Sequence, residues 1–474
     1  MERRTPALRP LAAALALALA GIVAASAAEH GSRPVTNCDD SGAGSLRDAY
    51  SHAADNDVID LTALDCSTIT LTTGALTHSE FAKHLTLRGP GRDRLTIDGS
   101  HLDRVLVHNA FGQIRLFDLS IANGRYVGSG YGARGVGGCV MTYEDIYLRN
   151  VDMSGCSVFV ADDGSARGGA IYGGGVVMTI DSTITGNAAE SEHGNSDGGA
   201  ISSAFAFLYS STISGNTASA DVSNYSRGGG VFTGSVATIA YSLISNNVAD
   251  RGGGLFLAGY LNDMKIVDTT ISGNHARGPG GGVFSGYYPV TIANSTITAN
   301  TAVFDFGAGI YLSHGGVDLE SSIVAGNSSG EGLQASDIGG NAAAPVNGAN
   351  NLVVAATLAL PPDTISAEPM LGPLQHNGGH TWTHALLPDS PAIDRGNNVL
   401  AVDADQRVGD PAMPGRIYER TFGAATDIGA FELGAGDIVF ADGFEPALIV
   451  PAGTDDVVAR AGPAARHVPS RRLR

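Results

Sequence analysis

One phrase, copied six times, limits what this chain can become. A β-branched residue stands three positions before an asparagine at Asn187, Asn216, Asn247, Asn274, Asn300 and Asn327, with steps of 29, 31, 27, 26 and 27 residues. A glycine unit recurs in phase, beginning at Gly168, Gly198, Gly228, Gly252, Gly280 and Gly307 and leading each time into Ile, Val or Leu. Periods of this size mark an architecture in which each unit buries its apolar face only against its neighbours.

Columns through the copies give the shape of the unit. Three residues before each asparagine stand Ile184, Ile213, Ile244, Ile271, Ile297 and Val324; five before it stand Ser182, Ser211, Ser242, Thr269, Ser295 and Ser322. Eight before it the column is mostly apolar: Thr179, Leu208, Ile239, Ile266, Ile292 and Leu319. Strand side chains alternate with period two, so apolar columns five residues apart cannot share one face of an unbroken strand. A bend is expected at the polar pair six and five residues before the asparagine. The asparagine is read as the next corner, in the left-handed conformation that Asn tolerates, its amide bonded to its counterpart one copy away. The glycine unit is a third corner. Strands joined by such corners in copies of ~27 residues describe one coil of a parallel β-helix. Further strands are expected at 85–89, 95–99 and 115–124, for about ten coils in all.

The alternation of these two units resembles the repeats of chlamydial polymorphic outer-membrane proteins and, more broadly, the pectin-lyase-like superfamily. Two flanking stretches extend the likeness: VTNCDDSGAGSLRDAY (35–50) resembles the opening of exported bacterial β-helix proteins, and PMLGPLQHNGGHTWTHALLPDSPAIDRGNN (369–398) with DADQRVG (403–409) and DIGAFE (427–432) resembles choice-of-anchor Q domain proteins. The resemblance implies an all-β, right-handed parallel β-helix with an N-terminal helical cap from Leu46 and a C-terminal cap region. It divides the chain into a signal peptide (1–28), an N-terminal cap with the first strands (29–84), coils (85–350), a cap like that of choice-of-anchor Q proteins (351–434) and a terminal segment with a basic tail (435–474). In the C-terminal cap it implies ion pairs among Asp394, Asp405, Arg407 and Asp427 that close the open end of the solenoid.

The address is read from the start. Arg3 and Arg4 precede an apolar run from Leu11 to Ala25, and Ala25-Ser26-Ala27 is a signal-peptidase pattern, so the chain is expected to be exported, extracellular or outer-membrane-associated. No second run approaches the ~20 apolar residues of a membrane span. The exported compartment permits disulfides, expected as Cys38 with Cys66 and Cys139 with Cys156. The formal charge of −19 makes nucleic acid and anionic lipid poor partners.

No catalytic constellation emerges. The Asn-Thr-Asp and Arg-x-Lys motifs of the superfamily's hydrolases are absent. Asp181 and Asp268 stand three coils apart, roughly 14 Å against the ~5 to 9.5 Å of glycosidase pairs, and are read as solvated corner residues. His376, His380 and His384 are interrupted by Gly378-Gly379, so they need not share a face and are read as structural. Trp382 is expected to pack against the final coil. No metal site is assigned: Glu190, Glu192 and His193 match no ligand spacing, and calcium has no supporting carboxylate array.

Loop length is more informative. From Cys156, which takes the asparagine's place, and from the next five asparagines to the following glycine unit, the separations are 12, 11, 12, 5, 6 and 7 residues. Insertions gathered on one edge commonly build a binding surface. Three long loops are therefore expected to form a wall carrying Asp162, Asp163, Arg167, Glu190, Glu192, His193, Asp197, Asp221, Tyr225 and Arg227. Carboxylates, guanidinium groups and an aromatic face suit hydroxylated sugars. The expected function is glycan or surface binding, as an adhesin without catalysis, the partner being a polysaccharide or another cell surface. A lyase or hydrolase acting on acidic polysaccharide, and a structural envelope component, are the alternatives.

Overall fold

The computed structural model describes residues 31–434 except 79–82, 110, 131, 222–224, 260, 262, 304–306, 331–333, 399–403 and 409–417, together with 439–440 and 446–447. The expected signal peptide and basic tail lie outside the described residues. The chain winds into a parallel β-solenoid of about 11 turns with almost no helix.

Copies stack in register. Thr183–Thr185, Thr212–Ser214, Leu243–Ser245, Thr270–Ser272 and Thr296–Thr298 are successive parallel strands of one row, and Ile213 pairs with Ile184 on one side and Ile244 on the other. All six β-branched residues of that column are buried in one apolar cluster running from Val35 to Val353. Long strands such as Ile171–Ile180 and Ile201–Tyr209 supply the other two rows; in later coils they divide into pairs such as Leu255–Leu257 and Met264–Val267. At ~4.8 Å per coil the stack is roughly 50 Å long.

The bend falls at the expected place. Asp181, Ser210, Tyr241, Asp268, Asn294 and Ser321, each six residues before its asparagine, have φ between 44° and 55°. The hydroxyl beside each bend points inward. Ser211 Oγ accepts from the backbone N–H of Ser182 at 3.3 Å and donates to Tyr209 O at 2.8 Å, and the same pair of bonds recurs at Ser242, Thr269, Ser295 and Ser322.

The asparagine corner differs from expectation. Left-handed φ values of 55° to 72° belong to the residue before it, Gly186, Gly215, Asn246, Gly273, Ala299 or Gly326. The asparagines themselves are buried and form a ladder: each Nδ2 donates at 2.9 Å to the next Oδ1, which also accepts the backbone N–H of the residue it caps. Buried amides need every bond made, so the column is asparagine for its paired donor and acceptor rather than for its backbone tolerance. The ladder begins at Cys156, whose N–H donates to Asn187 Oδ1, and ends at Asp337, whose Oδ1 accepts both N–H groups of Asn327. An acceptor alone suffices at that last step, which fits a carboxylate.

Disulfides join Cys38 to Cys66 and Cys139 to Cys156. The helix Leu46–Ser51, N-capped by Ser45, buries Leu46 and Tyr50 against the first coils. At the other end Leu358 and Leu360 pack on the core beyond Leu352–Val353.

The described residues of the 369–434 region lie along the side of the solenoid as a clamp, burying a second apolar cluster in which Ile323, Ala325 and Leu352 meet Leu386, Ile428 and Phe431. Gln406 accepts from Thr270 Oγ1 at 2.6 Å, His384 bonds Ser272 Oγ at 2.9 Å, and Ala430 N–H donates to Thr296 Oγ1 at 3.0 Å. The outward hydroxyls of Thr270–Ser272 and Thr296–Thr298 are consequently buried, whereas those of Thr183–Thr185 and Thr212–Ser214 stay half-exposed. Asp405 and Arg407 form a buried pair at 2.7 Å inside the clamp, while Asp394 and Asp427 are used mainly on backbone N–H groups. Two further expectations change with it. Asp268 is sealed from solvent rather than solvated, and Trp382, read as packed on the final coil, is 50 % exposed.

Candidate functional site

The long loops are built structure. Ser157–Val160, Ala188–Ser191 and Thr217–Ala220 extend one sheet outward, and Ser165–Arg167, Ser196–Asp197 and Ser226–Arg227 return in another. Val158, Val160, Ala166 and Ala189 bury one another beneath them, which gives the wall its own small core. A fourth loop, carrying Arg125–Gly128 and Arg134–Val136, extends both sheets one coil earlier. Its coil lacks the asparagine phrase, so the repeat did not mark it.

The ten wall residues separate into distinct places. Asp162 and Asp163 sit at an exposed tip, Asp162 accepting from Gly130 N–H at 2.8 Å. Glu190, Glu192, His193 and Asp221 border a shallow outer depression of about 490 Å³, with His193 Nδ1 3.7 Å from Asp221 Oδ2. Arg167, Asp197 and Arg227 stack in register as an alternating row. Asp197 is buried and shared: Arg227 holds it through two bonds of 2.7 and 3.0 Å, and Arg167 stands at 3.5 Å. The acidic loops therefore do not converge, and among the described residues no group of three or more His, Cys, Asp or Glu is placed to hold a metal.

Two wall residues, Tyr225 and Arg227, face a groove of about 300 Å³ where the loops shorten. Its floor is Phe256 and Phe284, the middle of an outward row Phe232, Phe256, Phe284 and Tyr311, one ring per coil, stacked at centroid distances of 5.5, 4.5 and 5.2 Å. Ring planes lie within 24° of parallel, an offset or face-stacked column that builds a continuous aromatic floor. Arg227 lies 4.9 Å above Phe232, fixed there by Asp197. Arg251 follows in the same row and lies 3.9 Å over the Tyr225 ring. Asn195 Oδ1 accepts from Tyr225 N–H at 3.1 Å, which positions that residue.

The opposite bank is Tyr287, 58 % exposed, stacked on His314 at 5.3 Å beside Ser313. Among the described residues no carboxylate lies within 4.0 Å of the Arg251 guanidinium, and Asp197 is already divided between two arginines. The groove thus concentrates positive charge on a chain of formal charge −19. Only the repeat's outline was legible here: Arg251, Tyr287 and His314 sit on short coils, in positions that no recurring column marks.

His376, His380 and His384 do not form one cluster. His384 is buried between Ser272 Oγ and Gly372 O, and its imidazole pKa is held below the usual value by burial; His380 stands 3.7 Å from Asp181. A scan against protein-family models and searches of curated proteins and of solved structures return no match to this chain.

Proposed function

We propose that this is an exported protein that binds glycans in the groove between Tyr225 and Tyr287, favouring sugars that carry an acid group. The reading rests on one observation: Arg251 and Arg227 line an aromatic groove with, among the described residues, no carboxylate within 4.0 Å of Arg251. Arginine forks pair well with carboxylate and sulfate, and exposed tyrosines cover sugar rings. Two disulfides fit an oxidising compartment. Among the described residues no helix is long and apolar enough to cross a membrane. The pectin-lyase-like resemblance agrees with a carbohydrate ligand, and adhesion is the role we assign.

Catalysis is not part of the proposal, because Asp197, the carboxylate that holds Arg227 beside the groove, is committed to two guanidinium groups. The test is a binding titration with oligosaccharides of pectate, alginate and chondroitin sulfate, with unsaturated products and reducing ends followed in parallel. Arg251→Ala is expected to weaken binding at least tenfold, the scale of one charge-assisted contact. Tyr225→Ala should act similarly, and Glu192→Ala, on the outer depression, should leave affinity unchanged. An Arg251→Ala protein that binds like the parent would exclude the groove; turnover sensitive to Arg251 would replace binding by catalysis.

A further inference from the structure

The contact between clamp and solenoid is unusual in its charge. Asp268 stands at a bend of the solenoid with φ 44° and is fully buried by the clamp. Arg420 of the clamp faces it, Nε to Oδ1 at 3.4 Å, yet neither oxygen of Asp268 accepts a well-aligned hydrogen bond, and Arg420 Nε and Nη1 donate none. The remaining donor group of Arg420, Nη2, is used on Asp427 O and Gly429 O. An ionised pair with this geometry keeps most of its desolvation cost.

The surroundings add acid, not base. From the clamp, Glu432 approaches Arg420 at 3.9 Å, and Asp427 lies next to it, with Asp394 beyond. Arg407 is matched by Asp405 in the same cluster and is covered by Tyr418 and Phe431. His384 is the neighbouring titratable group on the interface, and Asn294 lies beside Asp268 on the solenoid. Three carboxyl groups, Asp268, Asp427 and Glu432, therefore share one guanidinium in a site closed to water. Asp427 and Glu432 each accept two backbone N–H bonds, which suit the ionised form; Asp268 accepts no backbone N–H, and its polar neighbour there is the Asn294 side chain.

We propose that the clamp is a proton-dependent latch: it stays docked while Asp268 carries a proton, and it lifts from the solenoid when that carboxyl ionises. Burial pushes Asp268 up to about 7, Asp427 to about 6 and Glu432 to about 8. These are carboxyl groups raised above their free values of about 4, so docking is strongest below pH ~4, weakens as pH climbs from there through the docked values, and levels off above about 8. Each proton held only by the docked state shifts the equilibrium tenfold per pH unit within that window. Opening uncovers the hydroxyl rows of Thr270–Ser272 and Thr296–Thr298.

Hydrogen exchange of the full chain, corrected for intrinsic rates, reads the docking at Gly429 and Ala430, whose N–H groups donate to Ser321 O and Thr296 Oγ1 of the solenoid. At pH 8.5 these amides should open at least tenfold more often than at pH 5.5, while the Asn216–Ile244 coil stays unchanged. Asp268→Asn, neutral at both pH values, should remain docked and show a clearly shallower response than the parent, since only Asp427 and Glu432 still titrate there; Thr270→Val should weaken docking without altering the pH slope. A parent protein with no pH response, an Asp268→Asn protein with the parental response, or one that is open at both pH values would each overturn the latch.

Discussion

Replacing Asn247 by alanine should lower the unfolding free energy by at least about 3 kcal/mol, well beyond the ~1 kcal/mol of an average substitution. Asn247 Oδ1 accepts from both the backbone N–H and the Nδ2 of Asn216, and its own Nδ2 donates to Ile213 O and Asn274 Oδ1. Removing the side chain orphans two donors and one carbonyl in a region closed to solvent, at ~1 to 3 kcal/mol each before relaxation. Asn247→Leu should fare no better, because size is preserved and the orphans remain. Asn247→Asp keeps the acceptor but sets a carboxylate oxygen against Asn274 Oδ1. Denaturant unfolding checks the series. A second expectation separates a ladder from isolated bonds: Asn216→Ala added to Asn247→Ala should cost much less than the sum, because the pair shares its bonds.

Gly199→Ala should be comparably severe, for a steric reason. A Cβ at Gly199 would stand 2.1 Å from Gly229 O and 2.5 Å from Thr217 C, both backbone atoms. Nothing flexible can yield, so the coils must separate and part of the ladder must lengthen. A loss of at least about 3 kcal/mol is expected, at the upper end of overpacking effects. Gly186 is the informative contrast. Its φ is 65°, but nothing lies within 4 Å of a Cβ there, and Ala299 occupies the equivalent place in a later coil with φ 56°. Gly186→Ala should therefore cost only the left-handed strain, about 1 to 2 kcal/mol. Equal losses at both positions would refute close packing of the glycine column.

How far the sequence reaches can be judged from such positions. Spacing alone located the coils, the bends before each asparagine and the edge that carries the long loops, because those follow from local period and side-chain alternation. Conformational preference misled at the asparagines themselves: it placed the left-handed residue on Asn216 and Asn274, whereas Gly215 and Gly273 adopt it and the amides turn inward. Preference describes one residue, and a ladder is a property of the stack. Asp268 and Trp382 failed differently. Their environment is set by the clamp, which lies more than a hundred residues along the chain from the Asp268 coil it covers, and no repeat period encodes that contact. The groove combines both kinds: Tyr225 and Arg227 came from loop length, but the Phe256–Phe284 stack and Arg251 required knowing which coil lies over which.

The stacking of like residues one coil apart underlies ladder, clamp and groove alike, and a pair of cysteines measures it directly. Thr185 Oγ1 and Ser214 Oγ are 3.3 Å apart on paired strands, half-exposed, and outside the clamp. Neighbouring strands stand ~4.8 Å apart, within reach of a disulfide. All four native cysteines are already bonded, so no free thiol competes. Mild oxidation of Thr185→Cys/Ser214→Cys should form one intramolecular disulfide, detected by mass spectrometry, while Thr183→Cys/Ser214→Cys, two residues out of register, should keep both thiols free. Equal crosslinking of the two pairs, or none in the first with both thiols accessible, would contradict the stacked register on which the groove depends.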